Sequence, residues 1–260
     1  MFGMRGRTAH LAWYRTDEAP AEVAFLHGSS DSSQCWEPLI RAMPGIRALA
    51  IDARGHGESD LPAEPLSYSV LRDDAALVLS SQPGEGGVVV VGHSLGAMSA
   101  AYLAASRPDL VRAVVLEDPP TGGPLVEPDE PVPTWLADLL ALDLPTRIAQ
   151  GRSDNPAWPD DELEPWAVSK AQVDLDVFTL PFQDPTPLTD QLAAIKCPVL
   201  LIHGDPDRGS LISPDYAQRC AQAAAGEFRA VHIPGAGHSV HRDNRSQYLA
   251  ELTAFLDQHR

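Results

Sequence analysis

Val88-Val-Val-Val-Gly-His-Ser-Leu-Gly-Ala97 decides how this chain is read. Four consecutive valines lack the polar alternation of a half-exposed strand, which suits a strand buried on both faces of a sheet. The run ends on Gly92-His-Ser94-Leu-Gly96, and an alanine-rich stretch compatible with a helix follows. A serine on a tight strand-to-helix turn is held out at the carboxyl edge of the sheet, and small residues two positions to either side relieve the crowding there. The amide of Leu95 then falls at a helix N-terminus, where its N–H can stabilise a developing oxyanion.

Similar apolar runs recur on both sides: Val23–Leu26, Ala48–Ile51, Ala113–Leu116, Val199–Ile202 and Ala230–Ile233. Between them the spacing predicts helices over 67–81, 94–106, 214–225 and 243–258. The last carries Tyr248, Leu249, Leu252, Phe255 and Leu256 on one face. Strands alternating with helices predict an α/β fold with a mostly parallel, doubly wound sheet. One stretch breaks the alternation. Residues 119–190 hold 13 of the 24 prolines, 14 acids and three bases, with no clear strand. That is too long for a simple connection. Its aromatic residues Trp135, Trp158, Trp166, Phe178 and Phe182, with helical fragments near 133–142 and 160–174, predict a mainly helical lid. The expected organisation is a core of 1–118 and 191–260 with a cap insertion at 119–190. Trp135, Trp158, Trp166 and Phe178 are its candidate substrate-binding residues, since aromatic faces bury well against rings and alkyl chains.

Composition sets outer limits. The chain has 260 residues, 44% of them hydrophobic and 21% charged, which fits one large domain with a full core. Acids outnumber bases 36 to 19, for a formal charge of −17. Phosphate backbones and anionic lipid would repel such a chain, so neither nucleic-acid binding nor a membrane-surface role is expected. Cys35, Cys197 and Cys220 are widely spaced and follow no metal-ligand pattern, and the N-terminal residues have no apolar stretch of a secretory signal. Reduced thiols in a cytoplasmic protein are the expectation. Oligomeric state is not readable.

Three further constellations bear on chemistry. Phe25-Leu-His-Gly-Ser29-Ser30 ends the first buried run, and the amide of Ser29 can point into the same pocket as that of Leu95. Ile51-Asp-Ala-Arg-Gly-His-Gly-Glu-Ser59 reads as a glycine-permitted loop tied by Asp52 and Arg54, scaffold more than chemistry. Val231-His-Ile-Pro-Gly-Ala-Gly-His238-Ser-Val-His241 follows the last run. A loop histidine there is placed to act as a base on Ser94; His238 is the first choice and His241 the second.

Taken in order, His27-Gly28, Asp52-x-Arg-Gly-His-Gly-x-Ser59, Gly92-His-Ser-Leu-Gly96, Gly204-x-x-Asp207 and Gly235-x-Gly-His238 resemble the α/β-hydrolase superfamily over residues 20–258. The resemblance implies a serine hydrolase with Ser94 as nucleophile, His238 as base, Ser29 and Leu95 as the oxyanion hole, and neither metal nor organic cofactor. A serine at the nucleophile position points away from the dehalogenase and epoxide-hydrolase branches. The acid has two main candidates. Most of the family carries it after the strand before the last, which corresponds to Asp207. A minority carries it just ahead of the cap, which corresponds to Asp118, in Leu116-Glu-Asp-Pro-Pro120; Glu117 is a third possibility. A carboxylate before two prolines is expected in a rigid, extended turn. A small, mainly hydrophobic carboxylic ester or lactone is the expected substrate. The same core also supports lyases, cofactor-free oxygenases, C–C hydrolases and low-turnover ligand receptors, and these stay open.

Overall fold

The computed structural model describes residues 2–82, 84, 86–122, 132–180, 182–183 and 186–260. In chain order the strands are β1 (Met4–Thr8), β2 (Leu11–Arg15), β3 (Val23–Leu26), β4 (Ala48–Ile51), β5 (Leu66–Ser67), β6 (Val88–His93), β7 (Val111–Glu117), β8 (Phe182–Gln183), β9 (Val199–His203) and β10 (Phe228–His232). The helices are α1 (Glu37–Arg41), α2 (Tyr68–Ser81), α3 (Leu95–Ser106), α4 (Thr134–Leu140), α5 (Leu144–Asp154), α6 (Asp160–Lys170), α7 (Leu188–Ala194), α8 (Pro214–Ala223), α9 (Val240–Asp243) and α10 (Arg245–His259).

Eight strands make one sheet in the order β1-β2-β4-β3-β6-β7-β9-β10. From β4 to β10 every pairing is parallel, and only β2, antiparallel to both β1 and β4, runs against the other strands. The apolar runs are central because they can be buried on both faces: Val23–Leu26, Ala48–Ile51 and Val199–His203 are buried throughout. One face packs on α2, α3, α7 and α8, the other on α1 and α10. Tyr248, Leu252, Phe255 and Leu256 of α10 are all buried at three- and four-residue steps, and Asn244 caps the helix by accepting from the Gln247 amide at 3.3 Å. Each such apolar side chain contributes about 1.5–3 kcal/mol by leaving water. Among the described residues no helix is long and apolar enough to cross a membrane, and the three cysteines are free thiols.

Parallel registration decides where the chemistry collects. Leu26 pairs with Gly92, His93 with Glu117, Glu117 with Ile202, and His203 with His232. The carboxyl ends of β3, β6, β7, β9 and β10 therefore finish at one edge of the sheet, where open α/β sheets place their ligands.

Between β7 and α7 the described residues form α4, α5, α6 and the short strand β8, which pairs with β5 rather than joining the main sheet. Helix α7 starts at Leu188 and buries Leu188 and Leu192 in the main core. The expected boundary at 190/191 thus falls inside a core helix.

The aromatic residues of this insertion serve packing more than was expected of substrate-facing rings. Trp158 and Trp166 meet edge to face at 5.8 Å in a cluster with Leu163 and Ala167. Phe178 packs with Leu136 and Val173. All three rings are buried, whereas Trp135 is half-exposed at the surface. Short helical fragments bury little apolar area alone, so large rings form the small cores that hold them.

Candidate active site

Ser94 stands between β6 and α3 with φ +51°, a conformation few non-glycine residues adopt. Its amide donates to the Glu117 carbonyl at 2.9 Å, while its carbonyl starts the helix by accepting from Ala97 and Met98. The turn is tight enough to require the flanking glycines. A Cβ at Gly92 would lie 2.3 Å from the Gly96 carbonyl oxygen, and one at Gly96 would lie 2.2 Å from that of Leu26. As the first residue of α3, Leu95 has no intrahelical acceptor for its amide.

The loop after β3 lies against this turn. A Cβ at Gly28 would stand 2.7 Å from His93 Nδ1 and 3.3 Å from Ser94 Cβ. The loop is pinned from behind by residues 52–59. The Ala53 amide donates to His27 Nε2 at 3.0 Å, so Nδ1 carries the proton and donates to the Gly28 carbonyl at 2.8 Å. The Ser30 amide donates to His56 Nε2 at 3.2 Å, and the Ser33 amide to Asp52 Oδ1 at 2.7 Å. Asp52 and Arg54 do not tie the loop through each other. Arg54 instead makes a two-pronged pair with Asp74, at 2.6 and 2.8 Å. Burial pushes the His27 and His56 imidazoles down, His56 to about 3, which suits rings that accept at one nitrogen and donate at the other.

His238, in the loop after β10, donates from Nδ1 to Asp118 Oδ2 at 2.6 Å. A carboxylate can only accept, so a neutral His238 has its lone pair on Nε2. The loop is moored to the turn at Ser94: His93 Nε2 donates to the His238 carbonyl at 3.0 Å, and the two rings lie 4.8 Å apart. Burial pushes the His93 imidazole down to about 3, so it stays neutral in this role. The motif assigns His93 no role of its own; the only signal it gives is the middle position in Gly-His-Ser-Leu-Gly.

Of the candidate acids, Asp118 is the one bonded to His238. It is fully buried and also accepts from Ser210 Oγ at 2.6 Å and from the Leu211 and Ile212 amides at 2.9 and 3.3 Å. Its φ is +42°, left-handed rather than the extended form expected before Pro119. Burial of four hydrogen bonds outweighs the local cost of that conformation. Asp207 is exposed on a short 3-10 helix after β9. The loop after β9, where the resemblance placed the alternative acid Asp207, here supplies the donors that hold Asp118: Ser210, Leu211 and Ile212. Glu117 and His241, the remaining candidates for acid and base, pair with each other. The His241 amide donates to Glu117 Oε1 at 2.9 Å and His241 Nδ1 to the same oxygen at 2.8 Å.

A fold and an edge of this kind define a class of protein. A model of the alpha/beta hydrolase family matches residues 23–252, and the chain belongs to that family. Among individual relatives, it is 37% identical over 162 residues to Lipase LipV of Mycobacterium tuberculosis, covering 62% of this chain and 59% of LipV. It is 29% identical over 257 residues to 2-(acetamidomethylene)succinate hydrolase of Mesorhizobium japonicum, covering 90% of this chain and 87% of that one. A crystal structure of the esterase Rv0045c of Mycobacterium tuberculosis superposes with a TM-score of 0.73 at 26% identity, over 98% of this chain and 90% of that one. These relatives are an esterase, a lipase and a further hydrolase.

Proposed function

We infer that the protein is a serine hydrolase that cleaves a carboxylic ester or lactone of a small molecule through an acyl-enzyme on Ser94. The reading is carried by the 2.6 Å hydrogen bond from His238 Nδ1 to buried Asp118, which directs the basic nitrogen away from the acid and leaves it for a serine proton. Ser94 Oγ gives its proton to His238 Nε2 and attacks the carbonyl carbon. The amides of Ser29 and Leu95 donate to the resulting oxyanion. The imidazolium, stabilised by Asp118, then returns the proton to the leaving alkoxide. Water deprotonated by the same histidine attacks the acyl-enzyme and releases the acid. Each proton in this sequence is moved by His238.

Two considerations bear on substrate. The lipase and esterase relatives support an ester bond. A chain of charge −17 repels anionic substrates at long range, which favours a neutral ester over a dicarboxylate such as the one named in the succinate hydrolase. Residues 119–190 act as a cap in this reading, supported by the contacts of α6 with Ser30 and Asp31 in the loop after β3.

The test is covalent. A fluorophosphonate probe is expected to label Ser94, with labelling lost in Ser94→Ala and nearly so in His238→Ala, while p-nitrophenyl butyrate is hydrolysed by the wild type alone. A folded wild type that stays unlabelled and inert overturns the reading.

A further inference from the structure

Lys170 is one of two lysines in the chain and the last residue of α6. Its side chain is only 3% exposed. A buried ammonium is tolerated where acceptors replace its water, and here there are three. Nζ donates to the Ser30 carbonyl at 2.9 Å, to Ser30 Oγ at 3.0 Å and to Asp31 Oδ1 at 2.7 Å, which uses all its hydrogens. The second oxygen of Asp31 accepts from Arg242 Nη2 at 2.8 Å. Arg242 lies four residues after His238, and its Nε is 3.5 Å from Glu162 of α6. Burial alone would raise the Asp31 carboxyl, but Arg242 and Lys170 outweigh it and hold it well below the usual range. Helix α6 thus grips the loop after β3 and the segment after His238 through one buried ionic cluster.

The grip falls where it controls an amide. The N–H of Ser29 belongs to the Gly28–Ser29 peptide, which is planar and trans, so fixing its carbonyl fixes the direction of the N–H. That carbonyl accepts from the Asp31 amide at 3.1 Å and from His27. Ser30, the next residue, has φ +62° and is held by Lys170 on its carbonyl and by His56 on its amide. Remove the ammonium, and Ser30 keeps only Ser169 Oγ on its carbonyl and His56 on its amide, while Asp31 keeps only Arg242 of its two cations, so the segment behind the Gly28 carbonyl loses the donor that joins its two residues.

We propose that Lys170 is a positioning residue: by fixing Ser30 and Asp31 it aims the Ser29 amide at the carbonyl oxygen of an ester bound at Ser94, so that acyl transfer runs at full rate only with α6 seated. The proposal rests on the acyl-transfer reading above. An oxyanion exists only in the transition state and intermediates, so the cost of losing Lys170 falls on kcat rather than KM.

Three full-length variants test this with p-nitrophenyl butyrate, a fluorophosphonate, and butylboronic acid as a tetrahedral-adduct probe. Lys170→Met, similar in length but unable to donate, is expected to lower kcat about 30- to 300-fold with KM within about threefold of wild type. Its affinity for the boronic acid should fall by a similar factor, a change that loosened packing alone would not produce. Lys170→Arg should recover activity to within about tenfold of wild type by keeping the charge-assisted bonds. Ser30→Ala removes one acceptor and is expected to cost about three- to tenfold in kcat; it carries the test if Lys170→Met does not fold. Wild-type kcat in folded Lys170→Met, a loss confined to KM, or unchanged kcat and boronate affinity in Ser30→Ala overturns the proposal. Wild type unlabelled at Ser94 sinks the acyl-transfer reading and this proposal together, whereas labelled wild type with a fully active Lys170→Met sinks the proposal alone.

Discussion

Two carboxylate–histidine pairs lie side by side at the end of β7, built from adjacent acids and from histidines three residues apart. Asp118–His238 opens to solvent: the acid is sealed, but the imidazole is 35% exposed. Glu117–His241 is closed, with both side chains at 2% exposure or less, the ring 4.7 Å from Trp36 and 5.9 Å from Tyr248. Burial pushes the His241 imidazole down to about 3 and raises the Glu117 carboxyl. The same chemistry of acid and imidazole therefore suits proton exchange in one place and an inert strut in the other. What separates them is access, and the extra donors, Ser210 with two amides, that replace water around Asp118 from within the protein.

Deleting the histidines in turn separates the two pairs by what is lost. His238→Ala is expected to lower kcat for p-nitrophenyl butyrate about 10⁴-fold or more in a fully folded protein. Asp118→Asn should cost about 10³- to 10⁴-fold, because the amide disturbs the imidazole tautomer; Asp207→Asn should stay within about twofold. His241→Ala is expected to appear as stability, about 3–5 kcal/mol in urea unfolding, since it takes the imidazole N–H from buried Glu117 and leaves a cavity beside Trp36. The double variant Glu117→Leu/His241→Phe should recover most of that loss. A His241→Ala protein of wild-type stability but 10³-fold lower activity would reverse the two assignments.

Acid titration sharpens the contrast. His56 and His93 are both pushed down by burial to about 3, against about 6.5 in an unfolded chain. Below about pH 6.5 the unfolded chain binds protons that the native state refuses, so stability falls as pH drops toward 3. The slope approaches about 1.4 kcal/mol per pH unit for each histidine. His241 adds to this, while Glu117, whose native carboxyl holds its proton to higher pH than an unfolded one, opposes it. The urea midpoint of the wild type is expected to be lower at pH 5 than at pH 7, and Glu117→Leu/His241→Phe should keep most of that slope. A milder effect is expected of Ser210→Ala: about three- to thirtyfold in kcat, with one of the donors to Asp118 gone.

The central strands and the strand-to-helix turn at Ser94 are legible in the sequence because continuous apolarity and Gly-x-Ser-x-Gly are local signals. β1 is not, since Met4–Thr8 alternates half-buried with exposed residues and carries two arginines. Helix α5, Leu144–Asp154, buries only Arg147 and Gly151, so it offers no apolar stripe to read. At the site, sequence narrows the acid to two strand ends on one sheet edge and stops there. The bond from His238 to Asp118 is backed by Ser210, 92 residues beyond Asp118, whose hydroxyl no motif announces. Lys170 and Asp31, 139 residues apart, illustrate the same limit: among 36 acids the sequence does not say which one a buried lysine will meet.

Asp118 is also the last residue before Pro119 and the inserted helices, and it holds its place through a left-handed backbone. Under the proposed reading of the insertion as a cap, a graft that replaces it must splice downstream of Pro120, since a junction at the strand end would also move Asp118 off His238.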